Sequence, residues 1–557
     1  MEFISALNYK EHGLLDFVIV LTLSSIFLVW YYRDSESRQK LPLPPGPKKL
    51  PFIGNNLDMP RTDQHITFAR WAKEFGSDIL HLKIAGENYI VLNSYEMAMD
   101  LLDKRSSNYS GRWGFASSLY LFLNWEGDLV YLPYGDEMKL HRKLFHQEFH
   151  PTDSSLYQPH HKKALRLFLN NLIDTPEEWL EHIQQMTRSV ILAIAYGIRA
   201  LPKNDPSIAA AERMFSVFNI AGIPGSFLVD IFPILRYVPS WFPGASFKQK
   251  AQKWYGIRNA TITPPFLQVK QAMVRFYFWL LVSIDHLICW TLYEGMGSLY
   301  INPSQIFTML IISGGADTGI TSLRTFVLAM MCFPDVQQEA QEELDRVIGR
   351  EQLPDYDDLD NQDSLPYLWA VIYECFRWQP IVPLGKDYLQ SLRMTFLTNC
   401  DYCLAIPHKS DEEDTYQGYY IPKGSIVIPN VWAMLRDERT YGPTAHTFDP
   451  KRWLLQIQGR WKLNPDMHDP LSATFGFGRR QVACPGKHMG LSAFKMNVAS
   501  LLHSFNITPS PGKDGNPSPT KVQYISGMLN SPAPFECSIK PRSAKHVALV
   551  RQVLLED

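Results

Sequence analysis

Cysteine and net charge are both scarce in this chain. Seven cysteines are spread over 557 residues, all at or after Cys289. That is not the dense, even set of a secreted disulfide scaffold, and a reducing compartment is the consistent reading. With 54 Lys and Arg against 56 Asp and Glu, no basic excess is available to cluster against phosphates, so nucleic acid is not an expected partner. No internal repeat and no low-complexity linker divides residues 56 to 540. At 46% hydrophobic the chain can bury a large core, and one large domain is the simplest organisation.

What is present begins with an uncharged run, FVIVLTLSSIFLVWYY at residues 17 to 32. Counted from Leu14 it reaches the roughly 17 to 25 residues of a spanning helix. No small-residue cleavage site follows it, and Trp30, Tyr31 and Tyr32 suit an interfacial belt, so an uncleaved anchor over 14 to 32 is expected rather than a signal peptide. Arg33, Arg38 and Lys40 follow the run while only Lys10 precedes it, which places the body in the cytosol by the positive-inside rule. Residues 33 to 50 are a basic, proline-rich hinge too stiff for helix, and a catalytic body is expected over 51 to 545.

Within that body the patterning predicts a mainly α (α+β) fold with small β-sheets. Residues 79 to 93 alternate around a Gly-Glu-Asn turn and predict a hairpin, after which Ser94 caps a short helix to Leu102. YYIPKGSIVIPN at 419 to 430 predicts a second hairpin, with Pro422 and Gly424 at turn positions i+1 and i+3. Asn302 and Pro303 open a long apolar helix reaching Pro334. Val336, Ala340, Leu344 and Val347 form the next helical stripe, and Ser364 starts a helix with Leu368, Val371, Ile372 and Cys375 on one face.

The chemistry centres on FGFGRRQVACPGKHMG, residues 475 to 490. Pro485 suits a first helical position and an apolar helix continues to Phe505, so Cys484 is expected at a helix N-terminus. Unpaired N–H groups there would lower its pKa and favour a metal-ligating thiolate. The alternative is a buried, inert cysteine. Phe-x-x-Gly followed by Arg and Cys-Pro-Gly resembles the haem-binding loop of the cytochromes P450. The resemblance implies haem b with Cys484 as its iron ligand, and Phe475, Gly478, Arg480 and Gly486 around it.

Three more motifs of that family follow its order. Glu374 and Arg377 form the E-x-x-R pair, and FDPKRW at 448 to 453 is similar to the segment whose arginine, here Arg452, completes a structural Glu-Arg-Arg network. GGADT at 314 to 318 is similar to the oxygen-activation motif, which assigns Asp317 and Thr318 to proton delivery. Two adjacent glycines in a helix also point to a place where something approaches the backbone. The competing reading of Thr318 is a hydroxyl bonded back to the carbonyl four residues earlier, with no catalytic part.

Finer wording resembles fungal membrane-bound P450s of secondary metabolism or xenobiotic oxidation. It implies a monooxygenase taking O2, a hydrophobic small-molecule substrate and electrons from NADPH-cytochrome P450 reductase, anchored in membrane lipid as a single-pass protein of the endoplasmic reticulum.

Departures from the family pattern are also expected to matter. Met138 stands where the helix before the haem usually has Trp, with Arg142 retained for a propionate; at His408-Lys409 a family arginine appears as lysine; Gly319 replaces a common hydroxyl residue. Two extra residues separate Arg480 from Cys484, so the loop must bulge around Val482 and Ala483, holding Arg480 off its propionate. Residues 274 to 300 and 386 to 405 fit the family poorly and read as translated introns, with a second membrane segment and a Cys400-x-x-Cys403 metal or redox pair as competing readings. An inactive or mis-spliced P450-like protein is the corresponding alternative function.

Overall fold

The computed structural model describes residues 41–112, 134–149, 157–221, 237–277, 303–383, 407–478, 484–510 and 522–555, less gaps of one to three residues within these spans, with Leu21, Thr22, Ser24, Ser25, Leu132 and Leu235. The rest of the expected anchor lies outside the described residues, as do 278–300, 384–406 and 479–483. Among the described residues no single helix is long and apolar enough to cross a membrane.

Helices dominate. The long ones are α1 Gln64–Phe75, α2 Asp136–Glu148, α3 Gln158–Asp174, α4 Trp179–Tyr196, α5 Pro206–Ala221, α6 Ser246–Tyr277, α7 Pro303–Cys332, α8 Pro334–Val347, α9 Pro366–Trp378, α10 Lys487–Ser504 and α11 Ala544–Leu555. Strands important for the site are β1 Ile79–Ile84, β2 Glu87–Leu92, β3 Gly111–Arg112, β4 His408–Lys409, β5 Asp414–Tyr416, β6 Tyr419–Ile421 and β7 Ile426–Pro429.

The first hairpin forms, β1 against β2 from Ile79 opposite Leu92 to Ile84 opposite Glu87, but its turn falls earlier than expected, since Glu87 and Asn88 belong to β2. Its alternation serves two cores at once. Leu80, Leu82, Tyr89 and Val91 pack under Phe68 and Trp71 of α1, while Ile79, Ile90 and Leu92 face the main helical core. Ser94 sits at the expected N-cap, though its side chain makes no capping bond, and the helix passes into a π-helical turn, Met99–Lys104.

The second expected hairpin is corrected. β6 pairs back with β5, whereas β7 leaves it to lie parallel to β2 and antiparallel to β4, giving the sheet order β1-β2-β7-β4-β3. β7 is buried at all four positions, and such a strand is best satisfied between two neighbours. The turn between them is shifted too. Ser425 N–H bonds the Pro422 carbonyl at 3.2 Å, so Pro422 opens the turn and Gly424 takes i+2 rather than i+3.

α7 begins at Pro303 as expected and is apolar on every side, the pattern of a helix enclosed by others. Phe326, Val327, Ala329 and Met330 are fully buried in it. Proline then opens α8, which turns away by 105°. α9 starts at Pro366, two residues later than expected, and its whole length from Pro366 to Trp378, apart from Tyr373, is buried. α7, α9 and α10 together form the frame on which the candidate site is mounted.

Candidate active site

The cysteine loop closes at a narrow neck. Cys484 N–H donates to the Phe475 carbonyl at 2.8 Å, so both ends of the loop are fixed whatever the length between them. Phe475 is wedged against Phe376 of α9, ring centroids 5.6 Å apart, with Lys487 Nζ 5.8 Å from its own ring centre. Gly478 has φ +108°, a backbone conformation other residues rarely adopt. Arg480, Val482 and Ala483 lie outside the described residues.

Two expectations about Cys484 are corrected. α10 begins at Lys487, with Gly486 as N-cap, so Pro485 is not a helical residue and the cysteine precedes the helix by three positions. Its thiol pKa is raised, because burial outweighs the opposing help of the Gly486 N–H, Arg142 and Lys487. Yet the residue is exposed to solvent.

Arg142 of α2 lies near Cys484. Burial lowers its pKa and the neighbouring Cys484 raises it, which puts guanidinium and sulfur within electrostatic reach. Met138, one turn earlier, is buried at the position where an indole was expected, and His141 beside it is buried with its pKa lowered by that burial. The other expected cofactor contacts are engaged elsewhere. His408 bonds the Tyr109 carbonyl through Nδ1 at 2.8 Å. Lys409 runs along Gly424, whose added Cβ would lie 3.7 Å from Lys409 Cε, and acts on the carboxylate of Asp411.

Glu374 and Arg377 of α9 come together with Arg452. Glu374 and Arg377 are fully buried and joined by two bonds of 2.7 Å. Arg377 also donates to the carbonyls of Leu435 at 2.8 Å, Ala445 at 2.5 Å and Thr447 at 2.8 Å. All five guanidinium donors are therefore used. Arg452 Nε reaches Glu374 at 3.1 Å, and its other nitrogens take the carbonyls of Tyr441 and Thr444 at 2.6 and 2.8 Å. Sequence reasoning missed Trp453, whose indole donates to Glu374 at 3.0 Å. Its place next to Arg452 was the available signal.

On α7 the two glycines have different surroundings. A Cβ on Gly314 would meet nothing within 4 Å, whereas one on Gly315 would lie 2.9 Å from Ile191 Cδ1 of α4. Gly315 is therefore a helix-packing residue, and only Gly314 borders open space. Thr318 donates its hydroxyl to the Gly314 carbonyl at 2.8 Å. Asp317 forms a 3.3 Å salt bridge with Arg188 of α4, and burial raises its pKa against the pull of that arginine. Nothing in the sequence marked Arg188 for a role here.

A family model, Cytochrome P450, matches residues 44–390 and 391–538. The break falls inside the segment expected to be inserted. Among curated relatives, a cytochrome P450 monooxygenase of Armillaria gallica is 34% identical over 542 residues, 96% of this chain and 98% of the relative. Another, of Coprinopsis cinerea, is 36% identical over 503 residues, 90% of this chain and 89% of its own. Tryptamine 4-monooxygenase of Psilocybe cyanescens is 35% identical over 517 residues, covering 92% and 96%. Likeness of this extent, in a chain with an exposed Cys484 and a buried Glu-Arg-Arg cluster, makes it a member of the cytochrome P450 family and an oxidoreductase of its monooxygenase kind.

Proposed function

We propose that the protein is a haem-thiolate monooxygenase that inserts one oxygen atom from O2 into a hydrophobic small molecule, using NADPH-derived electrons from a cytochrome P450 reductase. The observation that carries this is Cys484, accessible to solvent, with the charge of Arg142 within electrostatic reach. A thiol, a guanidinium and an ammonium gathered at one end of an apolar frame fit an anionic porphyrin whose metal takes a sulfur ligand. Cys484 would hold the iron and Arg142 a propionate. His408 and Lys409, given their other partners, contribute less than the sequence implied. When bound, haem supplies the activation of O2 for transfer into substrate, with thiolate donation favouring O–O cleavage.

The chain's own residues do the rest. The Gly486 N–H and the charges of Arg142 and Lys487 favour the thiolate form that burial opposes; a bound iron would need that thiolate as its ligand. Asp317 and Thr318 hold and pass protons beside the open space at Gly314. Thr318 donates to the Gly314 carbonyl yet keeps lone pairs free to accept a hydrogen bond. Tyr237, Trp241 and Phe242, exposed at 71%, 79% and 51%, suit contact with lipid in a protein anchored to the endoplasmic reticulum membrane. The comparisons give no support to the inactive, mis-spliced alternative.

Incubation of the haem-loaded protein with reductase, NADPH and labelled oxygen tests the proposal. Tryptamine is a rational first substrate because one relative is a tryptamine 4-monooxygenase. Label in a product confirms the reaction class, and label in water alone, across a hydrophobic panel, contradicts it. Thr318→Ala is expected to lower product per NADPH by a factor on the order of a hundred, the low end of what a positioned proton donor contributes. Peroxide should rise while the haem spectrum is retained. Unchanged coupling would leave Thr318 only its bond to Gly314.

Deleting Val482 and Ala483 is expected to change the unfolding free energy by less than about 1 kcal/mol, since loop length costs little once both ends are fixed. Haem bound per chain should rise as Arg480 moves closer. Lower haem content in the deletion variant would show that the extra pair belongs to a working loop.

A further inference from the structure

Arg436 is a charge without a counter-charge. It is only 8% exposed, and among the described residues no carboxylate forms a salt bridge with it. Its guanidinium lies on the face of Trp432, 4.5 Å from the ring centre, and its Nη1 is buried without an acceptor. We propose that Arg436 and Trp432 form a binding site for one small monovalent anion of the halide class, which offsets excess positive charge beside the Glu-Arg-Arg cluster.

The local charges do not balance. Arg377 and Arg452 both bond Glu374, and Arg436 stands within electrostatic reach of Glu374 and Arg377. Three guanidinium groups thus share one carboxylate, already taken up by two of the arginines, the Trp453 indole and the Asp449 N–H. The acids next in sequence serve other partners: Asp437 holds Arg439, and Glu438 lies 3.4 Å from His446. Tyr524 also acts on Arg436, but burial raises its phenol, so it brings no charge at neutral pH. Burial and Arg377 pull the Arg436 pKa down to about 9, which leaves it protonated at neutral pH. An uncompensated buried charge is strongly destabilising. A buried donor left without a partner is a place to look for a bound ion.

Donors are in surplus on the same turn. The short helix Val431–Met434 is capped by Asn430, whose side chain accepts from the Ala433 N–H at 3.3 Å and donates to Asn93 Oδ1 at 2.8 Å. Asn93 in turn keeps its own Nδ2 buried without an acceptor. His65, edge-on to Trp432 with ring centroids 5.2 Å apart, is kept neutral by burial and by Arg436, its pKa lowered to about 4. These surroundings select the ligand. One guanidinium without a partner offers one charge to match, and an aromatic, buried setting makes a multiply charged anion far costlier to strip of water than a single-charge ion.

Crystals of the full-length, haem-loaded protein soaked in sodium bromide give the direct test. An anomalous bromine peak against the Arg436 guanidinium is expected in wild type, and its loss in Arg436→Met. In solution, with ionic strength held constant by sodium gluconate, bromide should raise the thermal midpoint of wild type along a saturating curve, because an ion that binds only the folded state stabilises it by mass action. At roughly ten times the half-saturating concentration the unfolding constant should have fallen about tenfold. Arg436→Met should show no such curve, and in gluconate alone its midpoint should equal or exceed that of wild type, since the uncompensated charge is gone. A midpoint lowered equally in both salts would make Arg436 a packing residue and overturn the proposal. So would a water without anomalous signal at that place in wild type, or a bromide curve that persists unchanged in Arg436→Met. Should Arg436→Met fail to fold, the soaked wild-type crystal decides alone, a missing peak being the refutation.

Discussion

Arg377→Ala is expected to cost about 3 to 5 kcal/mol, the range for breaking a buried ion pair from one side, and to leave little folded protein able to bind haem. That is a large fraction of the roughly 5 to 15 kcal/mol by which domains are stable. The reason is local and countable. Arg377 ties Glu374 of α9 to three carbonyls between Leu435 and Thr447, so its loss strands buried acceptors as well as releasing that segment from behind the cysteine loop. Arg377→Lys should rescue only in part, since an ammonium has three donors and no planar fork. Soluble yield and urea unfolding midpoints measure the effect. A variant within about 1 kcal/mol of wild type would show that Arg452 and Trp453 hold Glu374 without help.

Cys484→Ala is expected to remove all product formation above background and every thiolate signature of the bound haem, while unfolding free energy changes by less than about 1 kcal/mol, as for a partly exposed site. No other described cysteine can replace it. Cys375 and Cys537 are buried and Cys332 is only partly accessible, whereas Cys484 is exposed and within electrostatic reach of Arg142. Burial raises the thiols of Cys375 and Cys537 further from reactivity. Retained thiolate ligation in Cys484→Ala would move the ligand into a segment outside the described residues, such as Cys400 or Cys403.

What could be read in the sequence follows from how local each feature is. Period and punctuation located the first hairpin, the start of α7 at Pro303 and the presence of α9, though not its burial on nearly every side, because strand alternation, proline and helical spacing act over a few residues. β7 was misplaced because its partner, β2, lies more than three hundred residues upstream; a turn signal reports the bend but not what each arm pairs with. The spacing of Glu374 and Arg377 placed both on one helix face, but their meeting with Arg452 was legible only through family resemblance. The thiol pKa went the wrong way for a different reason. A helix dipole can be argued from position, whereas burial, which dominates at Cys484, is a property of packing. Arg188 was invisible for the same cause: its partner Asp317 sits on another helix, and the paired glycines said only that something approaches the backbone there, not that α4 does.

The reduced, CO-bound difference spectrum of the full-length chain tests the central claim most directly, because its Soret position reports the atom opposite the gas. A strongly red-shifted band in wild type, absent in Cys484→Ala, is the predicted result. Haem bound at one per chain with an unshifted band in wild type, or a red-shifted band that survives in Cys484→Ala, would contradict the assignment of Cys484 as the thiolate ligand.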